Sequence, residues 1–219
     1  MTFQLDLHVH TRLGSLDSTM DPEQMLRTAA ARGLAGVGVT EHYRLWSAAE
    51  VERYSGSGVT ILAGIEVTAA EGHFLVFGVD QAPRSRSLAS LAAEVYDLGG
   101  ALVLAHPFRG QLDHWRRHLL DAAFHPLLLD LVDRGQVHGI EAWNNGCTDA
   151  ENDLAMDLAM ATGLPALGGS DAHVASDVGR QRTRFRVMPR DSRELAMLLR
   201  ARVQEGGPAQ WASTAAGGI

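Results

Sequence analysis

The stretch Phe3-Gln4-Leu5-Asp6-Leu7-His8-Val9-His10 decides how this chain is read. Successive side chains of a β-strand point to opposite faces, so Asp6, His8 and His10 are expected on one face. Further polar clusters stand at the ends of other apolar, strand-like runs: Glu41-His42, Glu66, His73, His106-Pro107 and Ser170-Asp171-Ala172-His173. Imidazole and carboxylate suit zinc, iron and manganese, and several such ligands are needed because one histidine holds a metal weakly.

Outward from that stretch, strand-like and helix-like segments alternate. Candidate strands run from Phe3 to His8, Gly36 to Glu41, Thr60 to Val67, His73 to Val79, Ala101 to His106, Val137 to Ala142, Pro165 to Gly169 and Arg184 to Met188. Asp21-Pro22-Glu23 reads as an N-cap with proline at the first helical position, followed by an apolar stripe of Met25, Leu26, Ala29 and Ala30 that ends before Gly33. Similar stripes cover Leu88 to Leu98, Asp149 to Ala161 and Ser192 to Val203. Strands alternating with helices of this length predict a largely parallel α/β sheet closed as a barrel, with its functional groups at the C-terminal ends of the strands. His73 starts its strand instead of ending it. It joins the others if Ala69 to Gly72 is a tight turn and its strand runs antiparallel to the one before.

At 219 residues the chain fits one domain, expected over residues 1–204, with a flexible tail over 205–219. No run approaches the roughly 18 apolar residues of a membrane span, so a soluble, cytoplasmic protein without membrane contact is expected. Cys147 is the single cysteine and reads as an ordinary thiol. The net charge of -7 argues against stable binding to a nucleic-acid backbone. About three bound divalent ions would nevertheless add roughly +6 in one cleft and attract anions there. All 19 basic side chains are arginine, so any cationic contact to phosphate must be made by a guanidinium. His114 and His118, four apart beside Trp115, Arg116 and Arg117, read as a polar helix face, and His125 and His138 as structural. Glu141, Asn144 and Asn145 follow the sixth strand and are within reach of a substrate, although Asn-Asn-Gly is also a common turn.

Taken in order, these clusters resemble the motifs of the PHP family, the polymerase and histidinol phosphatase metallohydrolases. The resemblance rests on Asp6-Leu7-His8-Val9-His10-Thr11 with Ser15-Leu16-Asp17, Val39-Thr40-Glu41-His42, Gly64-Ile65-Glu66, His73 to Gly78, Ala105-His106-Pro107 and Gly169-Ser170-Asp171-Ala172-His173. It implies an α/β fold, a distorted seven-stranded (β/α)7 barrel, holding two to three divalent ions of zinc, manganese or iron at the C-terminal strand ends. Carried over by position, one ion would take His8, His10, Glu66 and Asp171, a second Glu66, His73 and His106, and a third Asp17, His42 and His173. Asp6 is expected to accept the free N–H of a ligating histidine. The family usually carries aspartate where this chain has Glu41, whose extra methylene is expected to re-aim a supporting hydrogen bond.

The expected function is hydrolysis of a phosphomonoester of a small metabolite or nucleotide by a metal-bound hydroxide. Arg109, three residues beyond His106, is the leading candidate to clamp the phosphate, with Arg44 and Arg182 behind it. Asp17 or His173 could protonate the leaving group where the third ion is absent. One alternative is an exonuclease-like phosphodiesterase acting at the 3' or 5' end of oligonucleotides. It would call for an aromatic or basic track, which Trp46, Trp143 and scattered arginines do not make. The other is a non-catalytic metal-binding regulatory domain, against which the full ligand set argues.

Overall fold

A computed structural model describes residues 2–110 and 124–204. The readings of His114 and His118, the side chain of His125 and the tail from Glu205 lie outside the described residues and side chains. Strands and helices alternate as β1 (Phe3–Val9), α1 (Pro22–Ala31), β2 (Gly36–Glu41), α2 (Ala48–Tyr54), β3 (Thr60–Ala69), β4 (Gly72–Phe77), α3 (Leu88–Asp97), β5 (Ala101–Ala105), α4 (Phe124–Asp133), β6 (Gly139–Asn144), α5 (Asp149–Thr162), β7 (Ala166–Gly169), β8 (Thr183–Phe185) and α6 (Ser192–Gln204). Asp21 caps α1 by accepting from the Glu23 N–H at 3.0 Å, with Pro22 at the first helical position. The unforeseen α2 is fastened by a capping box between Ser47 and Glu50. No described helix is long and apolar enough to cross a membrane.

The eight strands form one sheet in the order β7-β6-β5-β4-β3-β2-β1-β8. β4 runs antiparallel to both β3 and β5, and β8 antiparallel to β1, while the remaining pairs are parallel. The barrel nearly closes. β8 covers the first half of β1, and beyond it the segment after β7 takes over through the His10 N–H, which donates to the Ala172 carbonyl at 2.9 Å. The Thr183 hydroxyl joins β8 to β7 by accepting from the Gly168 N–H at 2.8 Å and donating to its carbonyl at 2.9 Å.

Two irregularities set which side chains face inward. In β1, Asp6 pairs with Val37 and Val9 with Val39, so Leu7 and His8 together stand opposite Gly38. Val37, Val39 and Val9 pack outward against Met25 and Leu26 of α1, whereas Leu5 and Leu7 pack with Leu62 and Leu75. The extra residue reverses the alternation: Asp6 turns outward while His8 turns inward. The expectation that Asp6 shares a face with His8 and His10 is therefore corrected. A side chain at position 38 would meet the Leu7 carbonyl at 2.7 Å, which explains glycine opposite the bulge. In β6, Glu141 pairs with Leu167 and Trp143 with Gly168, and the same kind of shift turns both Glu141 and Asn144 inward.

His138 is structural, as expected. Its Nδ1 accepts from the Leu102 N–H at 3.0 Å, and the His138 backbone N–H donates to the Leu102 carbonyl at 2.8 Å. Burial, with the Arg200 charge, pushes this imidazole from 6.5 down to about 4. Between those values the unfolded chain binds more protons than the fold, so stability rises with pH across this window and falls as pH drops through it. The full loss is about 3 kcal/mol. His138→Asn keeps an acceptor for Leu102 without a titrating group, and should flatten that part of the pH dependence. Urea unfolding at neutral pH and near the acid end of the window checks this; an unchanged pH dependence would contradict it.

Candidate metal centre

The polar clusters meet at the C-terminal mouth of the barrel. His8 and His10 enter through the β1 bulge, His42 follows β2, and Glu66 points inward from β3. β4 starts beside the end of β3, with His73 opposite Thr68, so the antiparallel arrangement delivers its imidazole to the same mouth. His106 and Asp171 follow β5 and β7 with φ of 25° and 53°. Side chains other than glycine rarely adopt such values, and each costs on the order of 1–3 kcal/mol that the surrounding structure must offset.

Glu66 is the hub. Its Oε2 lies 3.3 Å from His8 Nε2, 3.3 Å from His10 Nε2 and 3.1 Å from His42 Nδ1. Its Oε1 lies 2.8 Å from His73 Nδ1 and 3.1 Å from His106 Nε2. Asp171 Oδ1 adds a second carboxylate, 3.2 Å from His10 Nε2 and 3.5 Å from His8 Nε2. Asp17 Oδ2 stands at the exposed edge, 3.2 Å from the Nε2 atoms of both His42 and His173. Among the described residues, four sets place their donor atoms within 4.8 Å of one another: His8, His10, Glu66 and Asp171; Glu66, His73 and His106; His10, His42 and His173; and His8, His106 and Glu141.

Surrounding groups orient the rings. His8 Nδ1 lies 3.0 Å from Glu141 Oε1, a carboxylate that can only accept, so Nδ1 carries a proton and Nε2, 3.3 Å from Glu66 Oε2, is the nitrogen turned to the cluster. Ser15 Oγ donates to Glu41 Oε2 at 2.7 Å, which leaves it to accept from His10 Nδ1 at 3.0 Å. His173 Nδ1 donates to the Asp171 carbonyl at 2.9 Å. In three separate rings Nε2 is thus the nitrogen directed into the cluster, the orientation that ligation requires. His10 Nε2 is buried without a hydrogen-bond partner, between the oxygens of Glu66 and Asp171. Such an orphan, among imidazole and carboxylate donors, fits a divalent cation.

The electrostatics agree. Burial would raise the Glu66 carboxyl, but the imidazoles of His8, His10, His106 and His42 hold it well below the usual carboxylate range. Asp171 is likewise held low against its burial, by His8, His10 and His106. Burial would lower His8, but Glu141, Asp171 and Glu66 raise it well above its ordinary value. Positive charge is stabilised between these carboxylates in whatever form it is supplied.

Glu41 stays outside the centre as a buried support. Its oxygens accept from the Thr11 N–H at 3.0 Å, the Ser15 hydroxyl at 2.7 Å and Trp46 Nε1 at 2.9 Å, so it holds the serine that orients His10. Asp6, by contrast, touches no imidazole ring. Turned outward by the bulge, it accepts from the N–H groups of Ser170 at 2.9 Å, Gly179 at 2.6 Å and His8 at 3.3 Å, and burial pushes its carboxyl up to about 6. The role expected of Asp6 is filled by Glu141, which also accepts from the His106 N–H at 3.0 Å and from Asn144 Nδ2 at 3.0 Å. The available signal for Glu141 was an acidic residue inside an otherwise apolar strand.

The three arginines separate. Arg109 reaches the cluster, with its Nη1 on Asp171 Oδ2. Arg44 is drawn away to Glu50 and to the Leu13 carbonyl at 3.1 Å. Arg182 bonds Gln4 Oε1 at 2.6 Å, at the opposite end of β1. Both guanidiniums are engaged by local acceptors, Arg44 by Glu50 and the Leu13 and Leu45 carbonyls, Arg182 by Gln4 and the Gly179 carbonyl, and neither bonds a member of the cluster.

Comparison with known proteins places this geometry. A PHP domain model matches residues 6–156, and a model of a PHP-associated region matches residues 149–203. A chain provisionally described as a metal-dependent phosphoesterase from Bifidobacterium adolescentis superposes with a TM-score of 0.60 at 20% identity, over 77% of this chain and 87% of that one. PsfC from Pseudomonas syringae does so with a TM-score of 0.63 at 24% identity, over 94% and 96%. A lesion-specific endonuclease from Pyrococcus furiosus gives a TM-score of 0.61 at 18% identity, over 92% of this chain and 56% of that one. At these identities the structural likeness is one of fold.

Proposed function

Because the chain belongs to the PHP domain family, we propose that it is a metal-dependent phosphoesterase that releases phosphate from a phosphomonoester of a small metabolite or nucleotide. The observation that carries this reading is the ring of imidazole nitrogens around Glu66, with the buried His10 Nε2 left for a cation. His8, His10, Glu66 and Asp171 would hold one ion, Glu66, His73 and His106 a second, and Asp17, His42 and His173 a third. When bound, such ions lower the pKa of water and neutralise charge on phosphoryl oxygens.

The protein's own groups do the rest. Glu141 and Ser15 keep His8 and His10 in the ligating tautomer. Arg109 is tethered to Asp171 at the mouth, and can turn to a phosphoryl oxygen once a cation satisfies that carboxylate. His173 stands at the exposed edge with Asp17, where the imidazole can pass a proton to the leaving oxygen if no third ion takes its Nε2. Asp17, held against its partial burial below the usual carboxylate range by His42 and His173, can accept that N–H and orient the ring.

The test is metal content followed by phosphate release from sugar phosphates, histidinol phosphate, nucleotides and short oligonucleotides. Release from monoesters with added zinc, manganese or iron is expected, and no release from any of them would overturn the reading. Release from oligonucleotides alone would favour the phosphodiesterase. Arg109→Ala should raise KM for the best monoester by about 10- to 100-fold, the worth of a charged hydrogen bond; an unchanged KM would reject the clamp.

A further inference from the structure

We propose that Leu16, Tyr43 and Val174 form an apolar seat at the mouth that selects phosphate esters with a flat aromatic leaving group, nucleoside and aryl phosphates, over sugar and glycerol phosphates. This rests on the phosphoesterase reading above. Asp17, His42 and His173, on one side of the mouth, are each followed or preceded directly by a large apolar residue facing water: Leu16 is 91% exposed, Tyr43 69% and Val174 44%. Burial drives such side chains inward, so three together around one polar site need a ligand-side reason.

Hydrogen bonds join the three segments that carry them. The Tyr43 N–H donates to the Gly14 carbonyl at 3.2 Å, and the His42 N–H to Ser15 Oγ at 3.2 Å, which ties Tyr43 to the loop that carries Leu16. The same loop reaches the third member through Ser18 Oγ, which donates to the His173 carbonyl at 3.0 Å. The Tyr43 ring meets His42 edge-on, with centroids 6.0 Å apart and planes at 69°, and among the described residues no guanidinium covers it. Tyr96, exposed elsewhere on the fold, differs: the Arg200 guanidinium lies over it at 5.0 Å. Beside the seat, Asp17, His42 and His173 border a centre suited to phosphate. A ligand that satisfies both halves carries a phosphate at one end and an apolar ring at the other. A stacked ring is sequence-tolerant and favourable by about tenfold or more in affinity.

The experiment compares phenylphosphonate with methylphosphonate, which share a charged group, resist hydrolysis and differ in the ring. Calorimetric titration of the metal-loaded full chain should show phenylphosphonate binding about tenfold more tightly, a preference that falls towards one in Tyr43→Ala and weakens in Leu16→Ser. In parallel, the ratio of kcat/KM for AMP over ribose 5-phosphate should fall by a similar factor in Tyr43→Ala. Equal affinity of the two phosphonates, absence of binding by either, or a preference unchanged in both variants would overturn the seat. Failure to release phosphate from any ester, with the phenylphosphonate preference intact and dependent on Tyr43, would reject the hydrolytic reading and support the seat.

Discussion

Glu66→Gln is expected to empty the centre and to lower kcat by more than about 10³-fold. Glutamine keeps the size and one oxygen but removes the negative charge, and no other carboxylate in the cluster faces five imidazoles at 2.8 to 3.3 Å. Its two oxygens point to different ring sets, His8, His10 and His42 on one side and His73 and His106 on the other, so one substitution disturbs both. The loss should not come from unfolding. The apolar layers on either side of the sheet are untouched. Metal analysis of the purified variant, its far-UV circular dichroism and its rate of phosphate release are the measurements. A folded Glu66→Gln protein that keeps its full metal content and turnover would place the centre elsewhere.

The second large effect is expected from a residue that holds no inner position in the family-derived ligand set. Glu141→Gln should weaken metal binding by about 10- to 100-fold, the usual cost of losing a carboxylate behind a ligating histidine. The carboxylate accepts from His8 Nδ1 with one oxygen and from the His106 N–H and Asn144 with the other. Glutamine can present an N–H to His8 Nδ1 and so favour the tautomer with its proton on Nε2, which opposes ligation. Titration of the apo chain with zinc or manganese against a competing chelator reads the affinity directly. A Glu141→Gln protein with unchanged affinity would mean that His8 is oriented by other contacts. Ordering the two variants separates roles: Glu66→Gln should abolish binding, whereas Glu141→Gln should be rescued by excess metal.

Much of this was legible along the chain because the signals are local. Strand ends and caps are written in short windows, so the eight strands and the Asp21-Pro22 helix start could be read directly, as could the antiparallel course of the strand that begins with His73. The weak helix Ala48–Tyr54 escaped because it has no fully buried face, although its Ser47-Glu50 capping box was present. The arginines were legible in part. Arg109 could be ranked first from its place three residues beyond His106, but only the surroundings show it tethered to Asp171 while Arg44 and Arg182 are engaged by Glu50 and Gln4.

The sequence by itself determined which residue types gather at the mouth, since strand ends are set by local periodicity and turns. Only the tertiary structure decided which way each side chain faces. A strand alternates with period two, so one extra residue reverses every position beyond it, and whether a residue is extra depends on the neighbouring strand. The bulge opposite Gly38 turns Asp6 away from the histidines it was expected to support, and the shift in β6 brings Glu141 to His8 in its place.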